Sequence, residues 1–403
     1  MASPPSRSFS QLYSSICEQA SLPSSSSPHQ IITQLLPTQN ESVSFWWKTT
    51  GFALATLLEH AGGSLENHIH GLLFYYRYVV PYLGPAPIEM AEGTTRPIWG
   101  SFMTDDHTPV ELSWSWGTGY EAPVVRFSFE PIGPLAGTDA DPLNANAAFA
   151  FMKGLRKTLP YLDLRWFDHF SNNLLSFDNN TAPMSKEKGP MGNKSRVFLA
   201  FDLLEACVIP KAYFFPEFKA TGMGQETMDT IWKAIEYLPN DCELEFPSFH
   251  TLHRFTKKSQ LEIEMLAIDC VESATARLKI YIRNRSTSWD SVRYMVTFGG
   301  LVDNVNIRKS LEELDLLWTI LFRLEDELPP NQELTHNDHR TAGILYNYEL
   351  RPGSSTLIPK VYIPVRHYMQ NDSKIVQRLQ LYLRVRKLGS SAARYADALK
   401  QIL

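Results

Sequence analysis

The chain has 403 residues, 44% of them apolar, and a formal net charge of -5. That composition supports a substantial core, and the mild acidity excludes a dedicated nucleic-acid binder, which carries a strong basic excess. No run approaches the ~18 apolar residues of a transmembrane helix, so neither nucleic acid nor membrane is expected as a partner. The N-terminal stretch MASPPSRSFSQLYSS lacks the apolar heart of a secretory signal. Cys17, Cys207, Cys242 and Cys270 are scattered, with no CxxC pair and no histidine at ligand spacing. No zinc site or disulfide framework is expected, and a reducing, cytoplasmic setting is.

In chain order, an opening helix is predicted at about Phe9–Ala20, followed by the joint Pro23–Pro28, PSSSSP. Residues 1–30 then form a lead-in and residues 31–403 a single domain. Helices are predicted over about Phe45–Ala61, ending at Gly62-Gly63, and Leu65–Val80, ending before the turn Leu83–Pro87. Strands follow at Phe102–Thr104, Val110–Trp116 and Val124–Glu130, then helices at Asn144–Leu159 and Trp166–Leu175. The polar stretch Asp178–Lys194 reads as an exposed loop. The next strand pair is Arg196–Asp202 with Cys207–Phe215, followed by helices Glu226–Glu236 and Pro247–Thr256. Strands Leu261–Asp269 and Thr275–Ile282 precede helices Ser288–Met295 and Lys309–Glu325. Strands Gly343–Leu350 and Leu357–Val365 precede a helical run Lys374–Leu403. The chain thus repeats an αββα unit, an α+β class with antiparallel hairpins. Closing the strands into a barrel with the helices outside removes exposed edges. A flat sheet with one open face fits the pattern nearly as well.

Glu111 heads a strand whose other face carries Leu112, Trp114 and Trp116. The next strand, PVVRFSFEP, places Arg126 among apolar residues. An acid and an arginine among aromatic residues suit an aromatic substrate that loses a proton beside an anion. Lys211 and Tyr213 share a face in PKAYFFP, as do Arg277, Lys279 and Tyr281 in ARLKIYIR and Lys360 and Tyr362 in PKVYIPV. One such strand is ordinary if its face is solvated. Three hairpins with the same cation-x-tyrosine pairing suit a diphosphate, with tyrosine rings facing an allylic carbocation.

These residues fall in an order that resembles the dimethylallyltryptophan synthase family of fungal aromatic prenyltransferases. The matching features are Glu111 in PVELSW, Arg126 in VVRFSFEP, Lys211 and Tyr213 in KAYFFP, the RLKIYI segment, and Tyr362 in YIPVRHY with Asn371-Asp372. Trp46-Trp47 and the Leu83–Pro85 turn match as well, so the resemblance covers nearly the whole chain from about residue 10. It implies a ten-stranded antiparallel prenyltransferase barrel ringed by helices. It also implies transfer of a dimethylallyl group from dimethylallyl diphosphate to an electron-rich aromatic carbon, mostly of indole compounds, in secondary metabolism. Glu111 would be the catalytic base. Arg126, Lys211, Arg277, Lys279 and Lys360 would bind diphosphate, with Tyr213, Tyr281 and Tyr362 as shield and donors. No metal is required, magnesium being at most a stimulant, and a homodimer is left open.

Three departures accompany the resemblance. Lys360 stands where many relatives carry glutamine. The strand VFLAFDL holds no lysine, which argues against prenylation of free tryptophan at C4. Relatives continue into a further closing strand, whereas this chain stops at Leu403, so the strand containing Val361–Val365 is expected to have an open edge and turnover to be weak. A polycyclic polyketide such as a xanthone is the alternative acceptor, and an inactive shortened binder of hydrophobic ligands the alternative function. Asp105-Asp106 lacks the further carboxylates of a magnesium motif and reads as a turn. His68 and His70 point to different helix sides. His336 and His339 read as surface residues, and Trp46-Trp47 as core.

Overall fold

The computed structural model describes residues 23, 26–36, 40–90, 93–116, 123–175, 195–205, 207–238, 245–259, 261–324 and 328–403. The predicted helix Phe9–Ala20 and the whole of the loop Asp178–Lys194 lie outside these residues. The chain divides into two compact units, one of residues 1–155, 198–209 and 397–403, the other of residues 156–197 and 210–396.

Among the described residues the first helix of the first unit is one that the sequence reading missed, α1 (Pro28–Leu35). Its signal lies in the serine-rich joint: Ser27 caps the Gln30 amide, Gln30 bonds back to the Ser27 amide, and Pro28 starts the helix. Next come α2 (Glu41–Trp46), a π-helical turn over Trp47–Gly51, and α3 (Phe52–Ala61). Helix α4 (Leu65–Phe74) runs into a second π turn, Tyr75–Val79. Trp46 and Trp47 are core residues, as expected, and their indole N–H groups reach the Gly84 carbonyl (2.9 Å) and Thr33 Oγ1 (2.8 Å).

A two-stranded ribbon, β1 (Ile88–Glu89) with β2 (Thr95–Arg96), was not expected. The strand predicted at Phe102–Thr104 is instead bend and turn. There Asp106 accepts from Thr104 Oγ1 (2.5 Å) and the Thr108 amide (3.0 Å), so local side-chain bonds replace a ladder. This also bears out the turn reading of Asp105-Asp106. Strand β3 (Val110–Ser115) pairs antiparallel with β4 (Val124–Phe129), and β4 with β5 (Val197–Leu203). Helix α5 (Ala147–Leu155) packs Phe151 against Phe129 and Phe201, and Phe127 stacks on Phe201 at 5.4 Å. A boundary between the units runs through the hairpin of β5 and β6 (Val208–Phe214).

The second unit contains α6 (Arg165–Leu174), α7 (Glu217–Gly222), α8 (Thr227–Glu236) and α9 (Pro247–Ser259). Strands β7 (Glu262–Asp269) and β8 (Leu278–Asn284) follow, then α10 (Trp289–Val296) and α11 (Val305–Trp318). Strands β9 (Ile344–Leu350) and β10 (Ile358–Tyr362) precede α12 (Asp372–Val385). The predicted final helix is two, because Lys387 at φ 61° breaks it before α13 (Gly389–Ile402).

The strands of this unit lie in the order β6-β7-β8-β9-β10, every pair antiparallel. The α+β class and the αββα repeat therefore hold. Among the described residues β10 pairs with β9 alone, and it carries Pro359 and Lys360, residues that discourage edge-to-edge association.

One face of these five strands is apolar. Phe214, Leu266, Leu278, Ile280, Ile282, Tyr346, Tyr348 and Leu350 are buried to completion. Helices cover that face: Phe167 and Phe170 of α6 meet Phe214, and the Tyr348 hydroxyl donates to the Met295 carbonyl of α10 (3.1 Å). Strand alternation sends the intervening residues to the opposite face.

Candidate active site

That opposite face carries the predicted cations and tyrosines. The pairing sets Lys211 of β6 opposite Asp269, Ala267 opposite Lys279, Lys279 opposite Glu349, Tyr281 opposite Asn347, and Asn347 opposite Lys360. Because facing residues in a ladder point to the same side, all of these share one face. Tyr213, two residues from Lys211, joins them. Six of the predicted residues thus come together within the second unit, and Arg277, expected inside a strand, joins them from one residue before β8.

The cations are held by carboxylates that the sequence reading did not single out. Arg277 Nε lies 2.5 Å from Asp269, and its Nη1 lies 3.2 Å from Glu349. The Lys279 ammonium is 3.6 Å from Asp269, and Arg351 binds Glu349 at 2.7 Å. Lys211 is 1% exposed and Asp269 4%, so these charges sit where water screens them little. Lys360 is exposed, with its ammonium 5.2 Å from the centre of the Tyr362 ring.

The tyrosines run across alternate strands. Tyr213 and Tyr281 have ring centres 5.8 Å apart, and Tyr281 and Tyr362 5.9 Å. Asn347 Nδ2 donates to the Tyr362 hydroxyl (2.9 Å). Burial and then the neighbouring Tyr213 push Tyr281 far above the ordinary phenol range. Tyr281 is therefore a neutral hydroxyl that can donate. Further along the same strands, at the bulge between Ile263 and Met265, Glu264 and Arg283 form a buried ion pair that the sequence reading also missed. Arg283 additionally donates to the Thr341 carbonyl (2.9 Å).

In the first unit, β3 alternates as predicted, with Glu111, Ser113 and Ser115 exposed and Leu112 and Trp114 half-buried. Register pairs Glu111 with Ser128 and Ser113 with Arg126, so Glu111 and Arg126 share a face. Arg126 is not a free cation waiting for substrate, because it is ion-paired with Asp202, its opposite residue on β5. The side readings resolve simply. His68 bonds the Gly62 carbonyl (3.0 Å), and His336 is exposed. His339 is half-buried rather than on the surface and packs on His367, with ring centres 4.8 Å apart, because Asn337 of the same loop donates to the His367 carbonyl (3.4 Å). Among the described residues no three His, Cys, Asp or Glu side chains are grouped to hold a metal, and no helix is long and apolar enough to cross a membrane.

The second unit is thus a helix-backed antiparallel sheet whose other face presents cations and a row of mutually tilted tyrosine rings. The family profile for tryptophan dimethylallyltransferase matches residues 42–398. A 7-dimethylallyltryptophan synthase of Aspergillus fumigatus is 36% identical over 370 residues, spanning 88% of this chain and 77% of that protein. A 4-O-dimethylallyl-L-tyrosine synthase of Claviceps purpurea is 36% identical over 349 residues, spanning 85% and 76%. The crystal structure of NotF in complex with brevianamide F and DMSPP superposes with a TM-score of 0.79 at 25% identity, covering 94% of this chain and 90% of that one. The chain belongs to the tryptophan dimethylallyltransferase family and has its fold, which makes it an aromatic prenyltransferase.

Proposed function

We propose that the protein moves a dimethylallyl group from dimethylallyl diphosphate to an electron-rich aromatic acceptor of the indole type, without a metal. The observation that carries this is the shared face of Lys211, Arg277 and Lys279 with Tyr213, Tyr281 and Tyr362. Charge-assisted hydrogen bonds from lysine and arginine neutralise the leaving diphosphate in a poorly screened site. Tyrosine rings turn their negative faces to the allylic cation and exclude water from it. The cations take the part that magnesium plays in carboxylate-based prenyl transfer.

Glu111 receives the acceptor's proton. Its support is an exposed carboxylate on the polar face of β3, within the family's PVELSW segment. A general base of this kind contributes ~10²–10⁴-fold to rate. Replacing Glu111 by Gln keeps the shape and removes the basicity, so turnover should fall by about that factor while the melting temperature and donor binding stay put. Wild-type turnover in Glu111→Gln would remove Glu111 from the mechanism.

A further inference from the structure

We infer that Asp269, supported by Glu349, is the positioning residue of the donor site, fixing Arg277 and Lys279 in place before the diphosphate arrives. The inference rests on reading this face as the donor site. Three cations gather around β7, Lys211 on β6, Lys279 on β8 and Arg277 one residue before β8, and like charges in a poorly screened site repel one another. Asp269 stands among them: opposite Lys211 in register, 2.5 Å from Arg277 and 3.6 Å from Lys279. It is 4% exposed, and its Oδ1 makes no hydrogen bond although buried, leaving the Lys279 ammonium as its charged neighbour. Glu349 holds the other side of the Arg277 guanidinium and is itself shared with Arg351. A planar guanidinium held at Nε and Nη1 has lost its rotamer freedom, so that entropy is not spent when donor binds.

Simple electrostatics gives the opposite expectation. A carboxylate beside an anion site opposes the anion, so its removal should tighten donor binding. Positioning requires that removal loosen it, and the sign separates the two.

The experiment is steady-state kinetics with dimethylallyl diphosphate and acceptor varied in turn, together with inhibition by inorganic diphosphate. Asp269→Asn is expected to raise donor KM about tenfold or more and leave acceptor KM within about twofold, with the same weakening seen for inorganic diphosphate. Glu349→Gln is expected to raise donor KM about two- to fivefold, because Glu349 is divided between two arginines. This second variant decides the matter if Asp269→Asn does not fold. Donor KM unchanged or lowered in the variant that folds, while Arg277→Gln raises it, would overturn the positioning role. An Arg277→Gln enzyme with unaltered donor KM would instead overturn the donor-site reading itself.

Discussion

Glu217 shows how a single carboxylate records its surroundings. It starts α7 directly after β6, and burial, then the carboxylates of Glu262 and Glu264, raise it above the ordinary glutamate range. A raised acid favours the fold in its neutral form. Its contribution is fully present below the unfolded glutamate value of about 4.3 and is lost as pH rises through the higher folded value. Glu217→Gln should therefore raise the melting temperature at about pH 7 and leave it nearly unchanged at about pH 4. An equal shift at both pH values would refute the assignment.

At this scale the sequence was informative about which residues share a strand face and silent about their partners. Glu111 and the three cation-x-tyrosine pairs were legible because strand alternation is a property of neighbours in the chain. Asp269, Asn347, Glu349 and the Glu264–Arg283 pair were not. Their roles depend on register, which joins residues as distant as Arg277 and Glu349. Removing either member of the Glu264–Arg283 pair leaves an uncompensated buried charge, a loss of ~3–5 kcal/mol.

Hairpins and helices were legible where periodicity was long, and less so where a local bond or a special backbone angle decides. Helix α1 hid in a serine run, and the stretch around Phe102 reads as a strand until Asp106 bonds its own turn. The wide turn at Trp47–Gly51 has no periodic signal, yet a Cβ on Gly51 would lie 2.5 Å from the Trp47 ring, so the glycine makes room for that core indole. Gly343 is the strictest case. It enters β9 at φ +84°, and a Cβ there would lie 2.5 Å from the Asn284 carbonyl oxygen at the end of β8. Gly343→Ala should cost on the order of 2–3 kcal/mol in denaturant unfolding, through both strain and contact with backbone. A loss below the scatter of such measurements would mean that the β8–β9 connection relaxes freely.

For the whole molecule, the αββα repeat gave the class before any contact was known, and the match to the family over residues 42–398 agrees with it. What the sequence did not yield was the division into two compact units, whose boundaries fall after α5 and also inside β5, β6 and α13. A boundary inside a hairpin leaves no compositional trace of the kind that proline- or serine-rich joints leave. Activity should persist when EDTA strips divalent ions, because on the proposed function the cations of the second unit neutralise the diphosphate. An absolute need for magnesium would show that they do not.

The most direct measurement is incubation of the full chain with dimethylallyl diphosphate and, separately, L-tryptophan, L-tyrosine and a tryptophan-containing cyclic dipeptide, with EDTA present, followed by tandem mass spectrometry. The account predicts a mono-dimethylallylated product whose fragments place the group on the aromatic ring system, and inorganic diphosphate released in equal amount. Hydrolysis of the donor to dimethylallyl alcohol with no prenylated aromatic product in any of the three would contradict it.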